Sequence, residues 1–313
     1  MDKYLKYKNK YIQLKLNQTG GNIEEIKAFL NLEDNYIFDT YENINMINFE
    51  YNLTTNSKSR KIVSIKVIKI ILDDCYDSEN VLVIIPGISH NSFTNTANRI
   101  LRRDQIIKLK TKFNAIYLFE QDSFKEFQNP ICETRDLIID MVGGEYKIIP
   151  NTNSKKFNQI YNPEAALNDK IATFINNILI NEFKISSSIY LLGKSNGGWI
   201  ATLLLEKNDI YNGLFLAIPG IPTGITTLKH IKPERLRSII FIISWVEEDE
   251  FQFSFYGVSN KEKDRYDLQM HKLQRKVGRL NYQSYIDKNG GEPHDKNQHE
   301  MYLGMINYIV SII

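Results

Sequence analysis

Five consecutive residues, Gly193-Lys194-Ser195-Asn196-Gly197, join a hydroxyl that could act as a nucleophile to the small neighbours a very tight turn requires. An apolar run, Ile189-Tyr190-Leu191-Leu192, precedes them, and Gly198-Trp199-Ile200-Ala201 follows with the composition of a helix start. Serine attacks a carbonyl only when its hydroxyl is exposed, a base removes its proton and donors meet the developing oxyanion. A turn from strand into helix meets the first need, because it projects Oγ from the sheet edge. The backbone there is strained, and small residues at 193 and 197 leave room for it. The helix behind aims N–H groups and a positive dipole end at negative charge, so the Asn196 N–H is one expected oxyanion donor. The bland reading is a glycine turn between a strand and a helix. The bare G-x-S-x-G pattern arises by composition in about one chain in twenty of this length; its flanks make it specific.

The strand, G-x-S-x-G and helix together resemble the α/β-hydrolase superfamily, over about residues 44–313. The Ser195-Asn196-Gly197-Gly198 run is also similar to some polyester depolymerases and feruloyl esterases. The superfamily resemblance implies the chain order nucleophile, acid, base. It places the acid after an apolar strand at Ser238–Ser244, where Glu247-Glu248-Asp249-Glu250 follow. Asp249 best matches the family's spacing, with Glu248 and Glu247 as alternatives; four adjacent acids can also be a solvated turn. It places the base between the last strand and the last helix, in Asn289-Gly290-Gly291-Glu292-Pro293-His294-Asp295. Of the five histidines His294 fits best, and His299 is the reserve. His90 precedes the serine and reads as a site-lining or surface residue, His271 as a surface residue and His230 as structural. The family's second oxyanion donor follows an earlier strand, here Val81–Ile85, so the resemblance points to the backbone N–H of Ile88. Many members carry His-Gly at this point and this chain has Pro86-Gly87; a backbone donor survives that departure.

The reaction so implied is hydrolysis of a carboxylic ester, or a related thioester or amide, through an acyl-enzyme on Ser195. The substrate expected is a small-molecule or lipid-like ester, and the chemistry needs neither cofactor nor metal. The alternative is an inactive α/β-hydrolase fold reused as a binding module or virion structural protein. Retention of both Ser195 and His294 argues for catalysis.

The elements that must position these residues alternate along the chain. Ile44–Leu53 and Lys61–Leu72 read as an antiparallel strand pair, with Val63, Ile65, Val67 and Ile71 on one face. Val81–Ile85 and Phe113–Phe119 are wholly apolar or nearly so, as buried parallel strands are. Ala97–Leu109 has helical spacing, and residues 120–162 read as irregular, a cap or loop insertion over the site. Asn162-Pro163 starts a helix whose face continues through Leu167, Ile171, Phe174, Ile175, Ile178 and Leu179. Strands are expected at Ser188–Leu192, Gly213–Ile218, Ser238–Ser244 and Tyr282–Ile286, and helices at Gly198–Glu206, Lys261–Leu280 and Glu300–Ile313. This is a doubly wound, mostly parallel α/β domain over 22–313, of the α/β-hydrolase type by resemblance, behind a leader of residues 1–21.

Composition excludes several other functions. A formal net charge of +2 over 313 residues supplies no field for nucleic acid. Cys75 and Cys132 form neither a disulfide framework nor a zinc site and suit a reducing compartment. There is no H-E-x-x-H, and Ser188 stands where a phosphate loop ending in Gly193-Lys194-Ser195 needs its first glycine. No apolar run approaches the ~20 residues that span a bilayer, and no secretory h-region is present, so a cytoplasmic setting is expected.

The leader is basic and aromatic, with Tyr4, Tyr7, Tyr11 and Leu14 at heptad spacing before Gly20-Gly21. It reads as a short amphipathic helix that needs the body of the chain, a protein partner or a membrane surface to pack on. It is also similar to the N-termini of many proteins of giant DNA viruses of the mimivirus kind, and the heavy use of Asn, Ile and Lys suits an AT-rich genome. That resemblance implies infected-host cytoplasm or virion, with the leader as an assembly or processing signal.

Overall fold

The computed structural model describes residues 26, 44–54, 60–72, 80–87, 92–120, 137–142, 145–150, 163–183, 185, 188–219, 231–245, 282–286 and 306–313. Eight strands form one mixed sheet: β1 (Ile44–Thr54), β2 (Arg60–Ile71), β3 (Asn80–Ile85), β4 (Ala115–Phe119), β7 (Ser188–Ser195), β8 (Tyr211–Pro219), β9 (Ile240–Trp245) and β10 (Tyr282–Ile286). The remaining pair, β5 (Leu137–Val142) and β6 (Glu145–Pro150), makes a separate antiparallel hairpin.

The spatial order is β1-β2-β4-β3-β7-β8-β9-β10. β2 pairs antiparallel with both β1 and β4, and the other pairings of this sheet among the described residues are parallel, so of the described strands β2 alone runs against the sheet. The helices are α1 (Ser92–Ile100), α2 (Arg103–Lys110), α3 (Pro163–Asn177, continued by a π turn over Ile178–Glu182), α4 (Asn196–Lys207) and α5 (Pro233–Arg237), with a helical segment at 306–312. The architecture is a doubly wound, mostly parallel sheet with helices packed on both faces.

Alternation along the strands explains why both faces are covered. Val81, Val83 and Ile85 of β3 and Ile189 and Leu191 of β7 enter one apolar layer with Ile171 and Ile175 of α3 and Trp199, Ile200 and Leu204 of α4. Leu82 and Ile84, with Tyr190 and Leu192, enter the opposite layer with Phe93 and Ala97 of α1, Ile106 and Leu109 of α2, and Ile306 and Ile309. Strands apolar at every position are what a sheet buried on both faces requires.

Two expectations are corrected. The segment Ala97–Leu109 is two helices, not one. Arg102 is extended, at φ −67° and ψ 143°, and divides α1 from α2. The break lets Ile100 and Leu101 on one side, and Ile106 and Leu109 on the other, all reach the core. Residues 137–150 are also not irregular: two six-residue strands flank Gly143-Gly144, a spacing that favours a hairpin. The leader, the expected helix at Lys261–Leu280 and both cysteines lie outside the described residues. No helix among the described residues is long and apolar enough to cross a membrane.

Candidate functional site

Ser195 closes β7, which lies between β3 and β8 in the middle of the sheet. Its backbone stands at φ 50° and ψ −125°, the only positive φ of a non-glycine residue among those described. A side chain in that region costs about 1–3 kcal/mol, so the surrounding structure must hold it there. The next residue begins α4, with Ser195 at its N-cap position. The serine side chain makes no capping hydrogen bond. A serine at an N-cap ordinarily spends its oxygen on the helix N–H groups; here Oγ is not so committed.

Close packing of backbone on backbone enforces the turn. A Cβ at Gly193 would fall 2.6 Å from the Gly198 Cα and would overlap the Gly197 carbonyl. A Cβ at Gly197 would collide with the carbonyl oxygens of Ile85 and Pro86. The elbow is therefore pressed against the end of β3. Gly87, two residues past β3, stands so near that a Cβ there would lie 3.0 Å from the Ser195 Cβ and 3.5 Å from its Oγ.

The Asn196 side chain is 4% exposed and that of Asn168, on α3, is fully buried. Each amide donates to the other: Asn168 Nδ2 to Asn196 Oδ1 at 2.8 Å, and Asn196 Nδ2 to Asn168 Oδ1 at 3.1 Å. Sequence reading missed Asn168. The available signal was a polar residue on the buried stripe that continues through Ile171, Ala172, Ile175 and Leu179. Lys194, half-buried before the serine, is held down to about 8, first by burial and then by the nearby Arg99 cation.

Of the residues expected at the site, Ser195 and Asn196 are described and stand side by side at the sheet edge. Ile88 is the next residue after Gly87 and lies outside the described residues, as do Glu247, Glu248, Asp249, His294 and His299. So do His90, His230 and His271. The strands that lead to these segments are described. β3, β9 and β10 run parallel to β7, so Ile85, Trp245 and Ile286 end on the edge where Ser195 sits. Ligands of open α/β sheets bind at that carboxyl edge. Among the described residues, no group of three or more His, Cys, Asp or Glu is placed to hold a metal ion.

No protein-family model and no curated protein matches this sequence. Among solved structures, the chain is similar to the siderophore hydrolase EstA from Aspergillus nidulans, at 16% identity over 85% of this chain and 94% of that one, with a TM-score of 0.48. An IroE-like serine hydrolase from Shewanella oneidensis is 15% identical over 84% of this chain and 79% of that one, at a TM-score of 0.43. A fungal esterase structure from Rhizomucor miehei is 11% identical over 92% and 86% of the two chains, again at 0.43.

Proposed function

We propose that this protein is a serine hydrolase that cleaves a carboxylic ester through an acyl-enzyme on Ser195. The observation that carries the reading is the strained Ser195 backbone, held at the strand-to-helix turn at the carboxyl edge of a central strand with its hydroxyl free of capping. Strain of this kind gathers at functional sites, where it aims a side chain the relaxed backbone would not present.

His294 takes the Ser195 proton as Oγ attacks the ester carbonyl carbon. The N–H groups of Asn196 and Ile88 receive the oxyanion of the tetrahedral intermediate. Collapse breaks the bond to the leaving alcohol, which departs with the proton from His294, and the acyl group stays on Oγ. Water then gives a proton to His294 and attacks the acyl carbon, releasing the acid and regenerating Ser195. Asp249 orients the imidazole and stabilises its charged form. The substrate is a small-molecule or lipid-like ester, and the leader is a docking element for a protein or membrane surface.

The test is labelling of the purified protein with a fluorescent fluorophosphonate, together with p-nitrophenyl ester hydrolysis. Ser195→Ala and His294→Ala are expected to lose on the order of 10⁴-fold in turnover. Labelling lost only in Ser195→Ala would move the base to His299 or His90. Absence of labelling in folded wild type would leave the fold as a binding module.

A further inference from the structure

We infer that Asn168 is a positioning residue for this reaction, acting through the Asn196 side chain on the backbone that carries Ser195 and the Asn196 N–H; the inference rests on the acyl-enzyme reading above.

Three observations lead to it. The first is that the start of α4 is not held in the usual way. Ser195 occupies the N-cap without a side-chain capping bond, so its oxygen does not fix the first turn. The second is that the residue after it is anchored from outside the helix. Asn196 exchanges two hydrogen bonds, of 2.8 and 3.1 Å, with a partner 28 residues away on α3. The third is that both amides are buried, on a stripe where the neighbouring α3 residues are Ile and Ala. A leucine would suit that layer. A polar side chain withdrawn from water must be paired, so the pair has a requirement to meet at that point.

The pair is also selective. Each amide is donor and acceptor at once, and the two bonds close a ring that an ionised carboxylate cannot complete because it donates nothing. With its side chain fixed at one end, Asn196 has little freedom to rotate its peptide N–H away from the position where negative charge develops. Loss of the anchor would leave Ser195 in place but let that donor drift. The interaction is needed most in the transition state, where the charge appears, so the effect belongs to kcat and not to KM.

The experiment uses the full chain, with Asn168→Ala and Asn168→Asp beside wild type. kcat and KM are measured with p-nitrophenyl acetate, along with fluorophosphonate labelling rate and Tm. Asn168→Ala is expected to lower kcat about 10- to 100-fold with KM within about twofold, and to slow labelling in parallel. Asn168→Asp discriminates further. Ionised, it cannot donate to Asn196 Oδ1 and adds a negative charge beside the donor. Protonated, it offers one donor and one acceptor, as the amide does. Its kcat relative to wild type at the same pH is therefore expected to rise as pH falls, a trend that loss of packing alone would not produce. If Asn168→Ala does not fold, the pH trend of Asn168→Asp decides. Wild type that labels, with folded Asn168 variants within twofold of its kcat at every pH, overturns the positioning role and leaves the hydrolase reading intact. Folded wild type that neither labels nor turns over overturns both.

Discussion

The two ends of α4 are both tied to α3, by adjacent residues and by opposite chemistry. At the N-terminal end, Asn168 and Asn196 form a neutral pair with both amides buried. At the C-terminal end, about 16 Å along the helix, Asp169 meets Lys207 in an ion pair of 2.6 Å, with the two side chains 56% and 24% exposed. The shorter contact is the weaker constraint. An exposed ion pair exchanges water for a screened charge and orders two mobile side chains, for a net gain of about 0–1 kcal/mol. A buried reciprocal amide pair has no water to fall back on, so breaking it leaves an unpaired polar group at a cost of about 1–3 kcal/mol. The tight, neutral end is the one beside Ser195.

The largest effect expected of any change along this helix is that of Gly197→Ala. A methyl there meets the carbonyls of Ile85 and Pro86, and backbone cannot step aside as a side chain can. Urea unfolding should show a loss of about 3 kcal/mol or more, with fluorophosphonate labelling abolished. A variant within about 0.5 kcal/mol of wild type would mean that β3 and the elbow are not packed as tightly as described.

Double-mutant cycles sharpen the contrast directly. The Asn168/Asn196 cycle should return a coupling of about 1–3 kcal/mol, and the Asp169/Lys207 cycle less than about 1 kcal/mol. Equal couplings would erase the distinction between the two ends.

Glu206 tests the charged end from within. One of its carboxyl oxygens is buried with no hydrogen-bond partner among the described residues, and burial pushes the group up to about 7. The nearby Asp169 adds to the rise and Lys207 opposes it. The folded protein therefore holds this proton to higher pH than the unfolded chain, whose glutamate titrates near its ordinary 4.5. Stability from this group is fully present below pH 4.5 and is lost as pH rises through about 7. Glu206→Gln, neutral throughout, should match wild type below that window and exceed it by about 1–3 kcal/mol at pH 8 in urea titrations. A gain independent of pH would assign the effect to something other than the carboxyl proton.

The smallest effect is that of Asp169→Ala, which should move the urea midpoint by less than the equivalent of about 0.5 kcal/mol and leave the labelling rate unchanged. A slowed rate would mean that the two ends of α4 are coupled after all.

Much of the frame was legible from local pattern. The apolar alternation of β2, the unbroken apolar runs of β3 and β4, and the Pro163 start of α3 follow from side-chain period and proline's fit to a first helical turn, which act over a few residues. The elbow was legible for the same reason, since glycine, serine and glycine are adjacent in the chain and their conformational demands are local. The divided helix at Arg102 was not, because a 3.6-residue period runs through Ala97–Leu109 without a glycine or proline to mark the break. The hairpin over 137–150 was less legible, because its second strand opens on Glu145, Tyr146 and Lys147 and only Gly143-Gly144 marks the turn.

The sequence by itself determined which residues could form the elbow and the strands and helices on either side of it, because those are decided by sterics and periodicity between near neighbours. Only the tertiary structure decided that Gly87 lies against Ser195, that Gly197 abuts β3, and that Asn168 and not another residue of α3 holds Asn196. Those contacts join residues 28 or more positions apart. Nothing in the local chemistry of an asparagine names its partner until the sheet and two helices have brought one within hydrogen-bonding distance and excluded the water that would otherwise take its place.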